Sequence, residues 1–61
     1  MDHDLDTMLT VKETATFLKL NPITIYDYIR IGSLPAVKFG RYYRIVKRDL
    51  VQFINAHKHH I

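Results

Sequence analysis

Lys38, Arg41, Arg44, Lys47 and Arg48 all fall within residues 36–48, a stretch that contains no acid. A basic run this concentrated is the electrostatic footprint of a polyanion binder, because clustered cationic groups gain most from phosphate oxygens. Arg41 and Arg44 are the strongest phosphate candidates, with Lys38 and Tyr42 beside them and Lys47 and Arg48 as weaker backbone contacts. Upstream, Asn21, Ile23, Thr24, Tyr26, Asp27 and Arg30 are spaced to gather along the outer side of one helix, Tyr26 at its border. Thr24 can bond a base edge or a phosphate, Ile23 can meet a thymine methyl, and Arg30 suits a phosphate. The amides of Ile23 and Thr24, at a positive helix end, offer a further phosphate site. Asp27 repels phosphate. It either accepts from a cytosine amino group or neutralises Arg30, and the second role is the reading adopted.

The net charge of +3 hides a division between two regions. Residues 1–8 carry Asp2, Asp4 and Asp6 without a Lys or Arg, whereas from Leu9 onward nine basic residues face three acidic ones, a net of +6. With no Cys there is neither a disulfide framework nor a thiolate metal site. His57, His59 and His60 near the C-terminus support adventitious metal binding at most, so no metal and no cofactor is expected. A Gly-rich phosphate loop, a credible pair of carboxylates and a nucleophile with a placed base are all missing, and the expectation is a protein that is not an enzyme and takes no small-molecule substrate. No apolar run approaches the roughly 20 residues of a membrane span, and the first residues lack a signal pattern. A cytoplasmic, nucleoid-associated protein of a bacterium or phage is expected, with no membrane partner.

The elements that must position these side chains can be read in order. Sixty-one residues, 48% hydrophobic, make one small folded domain. Residues 1–8 read as an acidic lead, flexible or loosely docked, 9–57 as the domain and 58–61 as a tail. Residues 9–20 form a first helix, with Thr10 and Glu13 as a capping box, Val11, Ala15 and Leu18 facing inward and Phe17 widening that face. Asn21-Pro22 then starts a second helix, because Asn caps the first turn and Pro lacks only an amide that has no partner there. Ile25, Tyr28 and Ile29 point inward. Gly32 closes this helix and Pro35 keeps it from resuming. The tight connection makes the two helices cross steeply, as in a helix-turn-helix.

Residues 36–39 and 42–45 read as a β-hairpin about Gly40-Arg41, a type II′ turn because its first central residue needs positive φ. Alternation assigns Val37, Phe39, Tyr43 and Ile45 to the buried side and Lys38, Tyr42 and Arg44 to the outer side. Lys47 to about His57 forms a third helix, with Leu50, Phe53 and Ile54 inward and no good cap at its start. The fold expected is α+β, in the order helix, helix, β-hairpin, helix. A recognition helix and a basic hairpin tip at fixed geometry offer two devices for gripping double-stranded DNA.

The stretches LTVKETA (9–15), TIY (24–26), IRIGSLPAVK (29–38), RI (44–45) and RDL (48–50) carry a resemblance. Over residues 9–54 the chain resembles the winged helix-turn-helix domains of the excisionase type, distantly related to the DNA-binding heads of MerR-like regulators. That resemblance implies that the second helix reads the major groove and the hairpin wing contacts the adjacent backbone or minor groove. It implies a recombination directionality factor, which binds and bends DNA at attachment sites, assists an integrase and self-associates cooperatively on repeated sites. A small transcription regulator binding promoter DNA is the alternative in the same class, and a protein-interaction module the alternative in another. The chain departs from the family at Asp27, usually a basic residue, and at Val46, commonly Pro.

Overall fold

The computed structural model describes residues 3–58 of the chain. A single 3-10 turn over His3–Asp6 precedes strand β1 (Met8–Thr10), helices α1 (Val11–Leu18) and α2 (Pro22–Arg30), strands β2 (Val37–Phe39) and β3 (Tyr42–Val46), and helix α3 (Lys47–Ala56). The strands form one antiparallel sheet in the order β1-β3-β2. The expected α+β order therefore holds, with a strand added at its front.

The helix ends follow local chemistry. Thr10 Oγ1 accepts from the Glu13 amide at 2.9 Å and Glu13 Oε1 accepts from the Thr10 amide at 2.8 Å, completing the capping box. At the other end of α1, Lys19 takes a left-handed φ of 59°, the Leu20 amide donates to Ala15 O and the Lys19 amide to Thr16 O. Asn21 Oδ1 caps α2 by accepting from the Ile23 amide at 2.9 Å. Helix α2 stops in the same manner as α1: Gly32 at φ 83°, with Ser33 donating to Tyr28 O and Gly32 to Ile29 O.

Val11, Ala15, Ile25, Leu34, Ile45, Leu50 and Phe53 form the core between the helices and the sheet. Each buried Val, Leu or Ile side chain there contributes roughly 1.5–3 kcal/mol, enough to hold three short helices that would be marginal alone. Thr14 is the one buried polar residue among those described, and its hydroxyl donates to Thr10 O at 2.9 Å. The Tyr28 ring of α2 packs edge-on against those of Phe53 and His57, which lie 4.2 Å from each other.

Three expectations are corrected, and the lead takes the docked of its two expected forms. Leu9 and Thr10 belong to β1 rather than to the first helix, because Met8, Leu9 and Thr10 pair with Val46, Ile45 and Arg44. The acidic lead is docked over its described part, residues 3–8: Asp4 bonds Lys47 Nζ at 2.7 Å, Asp6 bonds Arg48 Nη1 at 3.0 Å, and Thr7 O accepts from the Lys47 amide at 2.8 Å. Opposite charges draw it onto the uncapped start of α3, whose first amide needs an acceptor. Phe17 does not extend the core; it is 62% exposed. The hairpin faces also differ. Val37 pairs with Arg44 and Phe39 with Tyr42, and cross-strand partners share a face, so Val37 and Phe39 lie outward with Tyr42 and Arg44. Lys38, opposite Tyr43, takes the other side. The two-residue loop sets this register, and apolar alternation alone does not. Residues 1–2 and the tail beyond Lys58, with His59 and His60, lie outside the described residues.

Candidate nucleic-acid interface

Helix α2 and the β2–β3 hairpin flank a shared concave surface. Its midpoint is the pair Tyr26 and Tyr43, whose rings meet edge-on with centroids 6.1 Å apart and planes at 71°. On one side of this pair the concavity is lined by Ile29 and Arg30. On the other it is lined by Thr10, Lys12, Tyr42 and Arg44. Helix, sheet and the first turn of α1 thus meet around two phenols, with cations on both flanks.

The outer side of α2 is arranged as its spacing requires. Ile23 is 68% exposed and Tyr26 is 48% exposed, while Thr24 is only half-buried. Arg30 Nη2 donates to Asp27 Oδ1 at 2.7 Å, so the acid pairs with its own neighbour. The expected phosphate site at the Ile23 and Thr24 amides is corrected: the first donates to Asn21 Oδ1 and the second to Asn21 O, at 2.9 Å each. Capping consumes those donors, and for Asn21 it leaves the side-chain NH₂ as the group available outward.

On the hairpin, Gly40 has φ 61° and Arg41 no positive φ, the pattern of a type II′ turn. The guanidinium carbons of Arg41 and Arg44 each lie 5.8 Å from the Tyr42 ring centroid, and Lys38 Nζ lies 5.7 Å from that of Tyr43. Each such interaction is worth about 0.5–1 kcal/mol at an exposed site. That is enough to bias long side chains toward one region, and too little to withhold them from phosphate. Arg44 is also tied by Nη1 to Tyr43 O at 2.9 Å.

Of the residues singled out from sequence, Tyr26, Arg30, Tyr42 and Arg44 line the common surface. Ile23, Asp27, Lys38 and Arg41 are exposed on the same helix and hairpin. Lys47 and Arg48 stand at the start of α3, away from the common surface, where they pair with Asp4 and Asp6 of the lead. Two residues are not marked by the sequence. Alternation assigns Tyr43 to the core edge, and Lys12 neighbours the others only through the fold; its one signal is its place in the first turn of α1, one residue past the buried Val11. Among the described residues no helix is long and apolar enough to cross a membrane.

A family model described as a helix-turn-helix domain matches residues 8–58. The chain is 43% identical over 44 residues to the uncharacterized protein YvgK of Bacillus subtilis, a match covering 72% of this chain and 14% of that one. It is 40% identical over 38 residues to a Mycobacterium tuberculosis protein provisionally named as DNA-binding, covering 62% of this chain and 49% of the relative. The chain therefore spans about half the mycobacterial relative and a small part of YvgK. No solved structure gives a significant match.

Proposed function

This chain belongs to the helix-turn-helix domain family, and we propose that it is a sequence-specific DNA-binding protein that lays α2 in the major groove and the β2–β3 hairpin on the adjacent backbone. The observation that carries this reading is the shared surface about Tyr26 and Tyr43. It aims a mixed polar and apolar helix side and a cation-rich hairpin at one object, with Lys12 between them. A duplex offers what those two parts need: base edges in a wide groove, and phosphates along its rim. The naming of the mycobacterial relative agrees with it.

The finer role is that of a recombination directionality factor, which binds and bends DNA at attachment sites, associates side by side with further copies and assists an integrase that performs the chemistry. Its support is the resemblance over residues 9–54 and the two-part grip, since a protein that holds groove and backbone together gains extra contacts from a bent duplex. The protein acts without catalysis, on the nucleoid, with no metal or cofactor.

The test is a gel shift on the DNA neighbouring its own gene, at two salt concentrations, followed by a bending assay and integrase-dependent excision. Sequence preference with steep salt dependence and enhanced excision is the expected result. Promoter binding without an effect on excision would reassign the chain to transcription regulation. Absence of any shift at low salt would end the DNA reading in favour of a protein-interaction module.

A further inference from the structure

Asp27 and Arg30 stand three residues apart on the outer side of α2, joined by a 2.7 Å ion pair and 56% and 72% exposed. An exposed pair of this spacing adds little to the stability of a helix. Stability is therefore a poor reason for an acid on the side of α2 that is turned toward phosphates. Arg30 also borders the concavity shared by Tyr26 and Tyr43, so the residue stands where helix and strand β3 converge.

We propose that Asp27 is a positioning residue that turns Arg30 from a phosphate anchor into a reader of guanine. The inference rests on the DNA-binding reading above and deepens it. A guanidinium carries five N–H donors, of which Asp27 engages one at Nη2, leaving the rest of the fork for a partner. A carboxylate 2.7 Å from the guanidinium lowers the local positive potential that would draw a phosphate to it. The guanine edge is different: O6 and N7 are neutral acceptors spaced for a bidentate arginine, and their attraction depends on directed hydrogen bonds more than on net charge. Biasing the long side chain toward one orientation beforehand also trims part of the rotamer entropy given up on binding. Asp27 thus weakens binding to arbitrary DNA while leaving the fit to one base intact.

The test is binding-site selection on duplex DNA, with salt titrations, for the wild-type chain and the Asp27→Asn, Arg30→Lys and Arg30→Ala variants; circular dichroism checks that each folds, which the exposure of both side chains favours. The wild type should select guanine at one position. Asp27→Asn should reduce that preference by up to about 5- to 150-fold, the range of one bidentate base contact. It should also bind unrelated duplex more tightly and steepen the slope of log K against log salt by about 0.9. Arg30→Lys should lose the preference without that gain. An Asp27→Asn variant with unchanged preference and slope overturns the inference while leaving DNA binding intact. A cytosine preference that persists in Arg30→Ala overturns it in favour of direct readout by Asp27. A wild-type chain that binds no duplex at low salt overturns the DNA-binding reading itself, and this inference with it.

Discussion

Tyr26 of α2 meets Tyr43 of β3 edge-on at 6.1 Å, and this contact ties the helix proposed to read bases to the hairpin proposed to hold the backbone. Edge-to-face pairs couple by about 0.5–1.5 kcal/mol beyond their buried area. A double-mutant cycle with Tyr26→Ala and Tyr43→Ala, read by urea denaturation, should return a coupling in that range. Additive effects would show that the helix and hairpin are held in register by the core alone.

Replacing Lys19 by Gly should stabilise the domain by about 0.5–1 kcal/mol. Lys19 holds a left-handed conformation at φ 59°, where an L side chain is strained and glycine is not. Part of that gain is offset by the greater freedom of glycine in the unfolded chain. The urea midpoint should rise without a change of slope.

Docking of the lead should depend on salt. The Asp4–Lys47 and Asp6–Arg48 pairs are both partly open to water, so replacing both acids by Asn should cost at most about 1 kcal/mol per pair at low salt. The difference between variant and wild type should shrink as ionic strength rises. Thermal melts at two salt concentrations would measure it.

Arg41→Ala combined with Arg44→Ala should weaken binding to all duplexes by a similar factor and reduce the salt slope by about 1.8, near 0.9 for each phosphate no longer neutralised. A defect confined to one base position would contradict the assignment of the hairpin to the backbone.

Helix termini are the most legible part of the chain, because their signals are local: Asn21-Pro22, the Thr10 and Glu13 capping box and Gly32 all act within a few residues of where they stand. The Asp27 and Arg30 pairing is legible for the same reason. Strand β1 is not. Met8–Thr10 is only three residues long and becomes a strand by pairing with residues far along the chain, and Thr10 also caps a helix, which points to α1 instead. The faces of the hairpin are hidden because Val37, Phe39 and Tyr42 are apolar or aromatic yet exposed, so hydrophobicity points away from the register that the loop imposes. Lys12 joins the surface only through the crossing of α1 and the sheet, for which no local spacing exists.

The pairing of Met8 with Val46 ties the front of the chain to a strand that comes after both helices and the turn. Closing a loop of about 38 residues costs entropy that short-range contacts do not. Helices α1 and α2 can therefore associate early, while the sheet waits for β3 and the docked lead waits for α3. During synthesis, β1 leaves the ribosome long before its partner exists. The domain cannot reach its final form until Val46 has emerged, so β1 is made well before the strand it pairs with and is among the last elements to find its place.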